Sequence, residues 1–305
     1  MKVLLTGARG YLGRYVAHRL HGAGVPFVAA GRSRPPVGDF LPADLLDTGC
    51  LDEVVRTADA THLIHLAWYV EHGAFWTAPV NTDWANASAR LADAFCRAGG
   101  RHVTMAGTCA EYRWDGTLCR EDETPIEPAT VYGQAKDACR RMAERACAAY
   151  GVPLAWARVF LPYGPGEDMR RLVPSVVAAL TGRQPPFPVN AQAQRDFLYV
   201  DDAAGALLQL SRCDAGGAFN ISSGQPVAIG DVVRELARIL NADPEPILAL
   251  AAPRPGEPML LAGDNHKLRA LGWTAATTLA EGLARAARQA DQGINGATRP
   301  HWSTP

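Results

Sequence analysis

Tyr132 and Lys136 stand four residues apart in Tyr132-Gly133-Gln134-Ala135-Lys136. On a helix that spacing puts both on one face. A phenol with an ordinary pKa near 10 is a poor acid–base group at neutral pH. A neighbouring ammonium and a positively charged, oxidised nicotinamide both favour the phenolate and pull that value down. Upstream, Met105-Ala106-Gly107-Thr108 ends an apolar run with a hydroxyl that can donate a hydrogen bond to a substrate oxygen. Thr108, Tyr132 and Lys136 are thus the expected catalytic set. A second signal lies at the N-terminus, in Thr6-Gly7-Ala8-Arg9-Gly10-Tyr11-Leu12-Gly13, where the glycines recur every three residues. So tight a turn needs backbone angles that glycine adopts cheaply. It brings the free amides and positive end of a helix up to a diphosphate. Gly7, Arg9, Gly10, Tyr11, Leu12 and Gly13 are the expected cofactor turn.

These residues need a scaffold of alternating elements. Lys2–Thr6, Pro26–Ala30, Thr61–Leu66, His102–Ala106 and Leu154–Phe160 read as buried strands. Tyr11–Gly22, Asn81–Ala98 and Tyr132–Tyr150 read as helices. Alternation of this kind predicts an α/β fold of Rossmann type, with a doubly wound parallel sheet. After Phe160 prolines crowd in, at Pro162, Pro165, Pro185, Pro186, Pro188, Pro253, Pro255 and Pro258. The second half is therefore expected to be a smaller, mixed, substrate-binding lobe. The expected division is residues 1–160 for the dinucleotide, with 196–222 returning to them; 161–195 and 223–288 for the lobe; and 289–305 as a loose tail. Within 196–222, Phe197–Val200 reads as a strand returning to the main sheet.

Composition narrows the partners. The 305 residues are 48% hydrophobic, and 30 Lys+Arg against 31 Asp+Glu leave a formal charge of −1. Such a balance gives no reason to expect nucleic acid or an anionic membrane. No apolar run reaches the ~20 residues of a membrane span. The opening MKVLLTGARG lacks the pattern of a secretory signal, so a cytoplasmic location is expected. Seven scattered cysteines with no C-x-x-C pair read as reduced thiols, and no metal site is expected.

The residues after the second strand choose the cofactor ribose. A carboxylate there accepts from a free 2′-hydroxyl, whereas arginine pairs with a 2′-phosphate. This chain has Gly31-Arg32-Ser33-Arg34 and no acid. NADP(H) is the preferred cofactor, bound with Arg32 and Ser33, and NAD(H) is the alternative.

The G-x-x-G-x-x-G turn, the Thr and the Y-x-x-x-K pair resemble the extended short-chain dehydrogenase/reductases, the NAD-dependent epimerase/dehydratase family. The likeness runs from residue 2 to about 287. It implies adenine contacts at Asp44 and Leu45, a segment under the cofactor at Leu66, Ala67 and Trp68, and a helix-starting Asn81 near the nicotinamide ribose. It also implies a loop over the nicotinamide containing Phe160 and Pro162. Arg195-Asp196-Phe197 and Arg254-Pro255-Gly256-Glu257-Pro258 are similar to segments of nucleotide-sugar enzymes. Arg195 and Arg254 are forked donors suited to a substrate diphosphate. Asp196 and Glu257 are read as structural partners of loop amides or arginines, and Asp201 as the cap of a helix beginning at Ala203. Trp68 is also a candidate substrate contact, and Trp68, His72 and Trp76 lie in a loop where substrate could stack.

Two departures matter. Leu161 stands where many epimerases of the family carry a substrate-binding Asn. Cys109-Ala110 follow Thr108 where the 4,6-dehydratases carry Asp-Glu, which argues against dehydration. Cys109 reads as a packing residue. The resemblance therefore implies NADPH-dependent reduction of the C4 ketone of a nucleotide-linked 4-keto-6-deoxy sugar. The alternative is a nucleotide-sugar 4-epimerase with tightly bound NAD(P); a more remote one is a non-catalytic NADP-sensing protein. Members of the family commonly pair through the helices at Asn81–Ala98 and Tyr132–Tyr150, so a homodimer is expected.

Overall fold

The computed structural model describes residues 1–295. Twelve strands occur among them: β1 (Val3–Thr6), β2 (Phe27–Gly31), β3 (Asp39–Pro42), β4 (His62–His65), β5 (His102–Thr108), β6 (Leu154–Val159), β7 (Leu161–Tyr163), β8 (Gln194–Arg195), β9 (Phe197–Tyr199), β10 (Gly217–Ile221), β11 (Val227–Ala228) and β12 (Leu260–Leu261). Helices α1 (Tyr11–Gly22), α2 (Leu51–Ala58), α3 (Val80–Arg97), α4 (Val131–Ala149), α5 (Leu172–Leu180), α6 (Val200–Arg212), α7 (Ile229–Leu240), α8 (Glu245–Leu248), α9 (His266–Ala270) and α10 (Leu279–Asn295) connect them.

Seven strands make one sheet in the order β10-β6-β5-β4-β1-β2-β3, every pair parallel. The apolar runs foreseen in the sequence are buried because both faces are covered. On one face α1 and α6 pack through Val16, Leu20, Leu207 and Leu210. On the other, α2, α3 and α4 pack through Val54, Leu91, Phe95 and Cys139. A third core, with Val176, Val177, Val232, Leu236 and Leu283, joins α5, α7 and α10. The order reverses between β1 and β4, the place where open α/β sheets hold ligands beyond the strand C-termini.

Two expectations are corrected. The strand at Phe197 does not return to the large sheet; it pairs with β7, Leu161 opposite Phe197. The returning strand is β10, which lies beside β6. The segment from Gln289 is not loose where it is described: α10 continues to Asn295, and residues 296–305 lie outside the described residues. Amphipathic Leu279–Ala290 carries the helix, with Leu283 and Ala287 fully buried.

Beneath the glycine turn a buried relay locks β1 to β4. His65 bridges Thr6 Oγ1 and Ser88 Oγ, at 2.7 Å each. Thr6 Oγ1 also accepts from the amides of Leu66 and Ala67. Burial pushes the His65 pKa down to about 3, so the ring is neutral at physiological pH. The folded value lies below the unfolded one, so the unfolded chain takes up a proton that the folded chain refuses. Stability from this group is present above pH 6.5 and is lost as pH falls towards 3. Thermal midpoints should drop between pH 7 and pH 4.5, with a shallower slope in His65→Gln; equal slopes would show that the relay does not titrate this way.

Candidate active site

The glycine turn is shaped for close approach. Gly7 has φ +72°, and a Cβ there would sit 2.7 Å from the Ala67 amide nitrogen at the end of β4. A Cβ on Gly13 would strike the Gly7 carbonyl. Gly10 caps α1 with no side chain, and the first turn holds no acid. The leading amides of α1, at Tyr11 and Leu12, are therefore left to an external anion, and a dinucleotide diphosphate fits them. Arg9 lines a cavity of about 220 Å³ beside this turn, with Arg14 and His18. Arg32 is exposed just past β2, and among the described residues it forms no hydrogen bond or ion pair. Ser33 follows it, half-buried. Asp44 is exposed and caps its own loop at Leu46, while Leu45 is buried.

Thr108, Tyr132 and Lys136 converge, as their sequence order suggested. Thr108 ends β5 and opens a short turn, its Oγ1 accepting from Ala110 and its amide donating to Glu111. Gly133 lets α4 press on that turn: a Cβ there would collide with the Ala110 carbonyl and Pro128. This contact sets Tyr132 against Thr108. Burial pushes the Tyr132 phenol above its ordinary 10, and a hydrogen bond with Thr108 opposes the shift. Apart from the coenzyme, burial therefore favours the protonated phenol; the expected pull toward phenolate comes from the ammonium together with an oxidised nicotinamide. Burial also lowers Lys136, to about 8. Its Nζ donates to the Ala106 carbonyl at 2.8 Å and lies 3.7 Å from the Trp68 ring centroid, a cation–π contact.

Other expected residues fall into two groups. Leu66, Ala67 and Trp68 leave β4 directly beneath the glycine turn, and Phe160 and Pro162 flank the end of β6. Asn81 is fully buried; it accepts from Trp68 Nε1 at 2.8 Å and donates to the Phe75 and Ala78 carbonyls. Its amide thus supports the Trp68 loop. Arg195, Arg254 and Leu161 line a common cavity of about 190 Å³. Arg195 is 6% exposed and pairs with Glu257 at 2.7 Å, and Arg254 donates to the Pro188 carbonyl. Asp196 collects amides from Ser223, Gly224 and Gly263, the structural role read for it. Asp201 does not act as the helix cap; it lies inside the first turn of α6 and pairs with Arg19 at 2.8 Å.

The sequence reading overlooked Glu111 and Arg158. Their side chains are 0% and 3% exposed and meet at 2.9 Å. Glu111 also accepts from Trp156 Nε1 and the Thr108 amide. Arg158 donates to Tyr112 Oη, which donates to Asn220. A signal was present, since Thr108-x-x-Glu111 has the capping-box spacing.

Sheet order, phosphate turn and a Thr/Tyr/Lys set at the strand C-termini define a nicotinamide-dinucleotide enzyme of the extended short-chain dehydrogenase/reductase type. The model of the NAD dependent epimerase/dehydratase family matches residues 3–222, and the chain belongs to that family. It is 28% identical to a UDP-glucose 4-epimerase of Azospirillum brasilense, over 99% of this chain and 96% of that protein. It is 26% identical to a dTDP-L-rhamnose 4-epimerase of Burkholderia thailandensis, covering 92% and 93%. Among solved structures it is similar to MoeE5 in complex with UDP-glucose and NAD, at TM-score 0.81 and 26% identity, covering 96% and 100%.

Tyr132→Phe should cut turnover by roughly 10²-fold or more while leaving dinucleotide affinity within about threefold, as steady-state kinetics and coenzyme titration would read. Wild-type-like turnover would remove Tyr132 from the chemistry. Glu111→Ala should destabilise the fold by roughly 3–5 kcal/mol, because it leaves Arg158 buried and unpaired. Denaturant unfolding measures this, and a change below about 1 kcal/mol would contradict it.

Proposed function

We propose that this enzyme reduces the C4 ketone of a nucleotide-linked 4-keto-6-deoxy sugar with NADPH. The carrying observation is the buried Tyr132 beside Thr108, with Arg32 rather than an acid after β2. In this reading Thr108 and Tyr132 donate hydrogen bonds to the ketone oxygen and so polarise it. When bound, the reduced nicotinamide supplies the hydride. Tyr132 gives its proton to the oxygen as negative charge develops there. Lys136 keeps one donor on Ala106 and has two more for the cofactor ribose hydroxyls. Arg32 takes the 2′-phosphate, Arg254 the substrate diphosphate, and Arg195 the same group once it turns from Glu257.

A second reading, a 4-epimerase with retained NAD, is favoured by the names of the similar proteins. Absorbance at 340 nm separates the two. Incubation with NADPH and UDP- or dTDP-linked 4-keto-6-deoxyhexoses should consume one coenzyme per sugar. No net consumption, with C4 inversion of UDP-glucose, would instead establish the epimerase. Arg32→Asp should lower the NADPH-over-NADH preference by about 10–100-fold, the worth of a charged hydrogen bond.

A further inference from the structure

Tyr132 is walled by aromatic rings. Phe75 stands edge-on to it with centroids 4.9 Å apart, Trp76 at 5.8 Å and Trp68 at 6.4 Å. Trp76 lies against Phe75, tilted by 32° with centroids 4.4 Å apart, and meets Trp114 edge-on at 6.5 Å. The rings arrive from two loops, one after β4 and one after β5, and both are fastened to the catalytic set. The Trp76 carbonyl accepts from the Tyr132 amide, and Trp114 Nε1 donates to the Cys109 carbonyl next to Thr108. These bonds fix the ring positions relative to the reacting oxygen. They also use up polar handles. Trp114 Nε1 goes to Cys109 and Trp68 Nε1 to Asn81. What the wall presents is therefore mostly ring carbon, with Trp76 Nε1 the one indole donor of the group that has no acceptor among the described residues. Trp76 keeps 36% of its surface exposed and is the more open of the two rings that meet Tyr132 at under 6 Å, Phe75 being half-buried. Leu161, the first residue of β7, adds an apolar side chain to the cavity that holds Arg195 and Arg254.

We infer that Trp76 and Trp114 are specificity-determining residues that receive the sugar ring beside its reacting carbon and select substrates with hydrogen or methyl, not hydroxyl, on the side they face. The inference rests on the reading of this site as a nucleotide-sugar enzyme, and it deepens that reading. A substrate oxygen placed at Thr108 and Tyr132 brings the adjoining sugar carbons against these rings. A hydroxyl there exchanges water for a surface that is mostly ring carbon, whereas a methyl gains apolar contact. Apolar pockets discriminate against an added hydroxyl by up to about 10²-fold and no further.

Calorimetric titration tests this without turnover. The enzyme, saturated with coenzyme, is titrated with UDP, UDP-glucose and UDP-6-deoxyglucose, and with the dTDP counterparts. The 6-deoxy sugar should bind about 10–100-fold more tightly than its 6-hydroxy partner. In Trp76→Ala that ratio should fall to within about threefold while the affinity for the bare nucleotide stays unchanged; Trp76→Phe should keep the preference, which separates ring contact from general loosening of the loop. Equal affinities in the wild type, or an unaltered ratio in Trp76→Ala at an unchanged melting temperature, would overturn the inference and leave the nucleotide-sugar reading standing. Failure of every nucleotide and nucleotide sugar to bind would overturn both.

Discussion

The Glu111 carboxylate is the point on which the catalytic end of the sheet depends. It accepts from the Thr108 amide, from Trp156 and from Arg158, so one buried charge holds the end of β5 to β6. Burial raises its pKa, and the Arg158 guanidinium opposes the rise. The chain continues through Tyr112 to Asn220 on β10, whose side-chain amide donates to the Cys119 and Asp264 carbonyls. A path of hydrogen bonds thereby runs from the Thr108 amide, at the end of β5, to the Cys119 and Asp264 carbonyls. Each member is satisfied, which is the condition under which a buried polar network adds order instead of strain.

The same logic, a polar group fixed by burial, recurs on the cofactor side. Thr6, His65 and Ser88 tie the first strand to the fourth, so the close approach of Gly7 to Ala67 is held from below. Lys136 is held against Ala106 and Trp68, with its charge facing a π surface in place of water. Gly7 and Lys136 therefore have little freedom to lose when ligands arrive, the arrangement that preorganised sites need.

Much of this was legible in the sequence because it was local. The glycine turn, the apolar strands and Tyr132–Lys136 each declare themselves within a few residues, and their elements appear within one or two positions of expectation. What escaped was settled by partners distant in the chain. Phe197–Tyr199 reads as a strand from any window, but its neighbour is decided by β7. Arg195 reads as a forked donor whose partner its own segment does not fix, and Glu257, 62 residues away, is what it pairs with. Asp201 reads as a cap until Arg19, 182 residues away, takes its carboxylate. Glu111 looked like one more acid in a loop because its three donors come from two strands, the Thr108 amide from β5 and the Trp156 and Arg158 side chains from β6, the latter two more than forty residues away.

The order β10-β6-β5-β4-β1-β2-β3 carries a consequence for how the chain is made. The edge strand beside β6 lies about sixty residues further along the sequence, beyond β7, α5, β8, β9 and α6. As the polypeptide leaves the ribosome, β6 emerges with one margin unpaired, and it stays so until Ile221 is clear. The first 160 residues by themselves are therefore an unfinished sheet with an adhesive edge. A fragment ending there would leave the margin of β6 without its β10 partner, open to pairing with other chains.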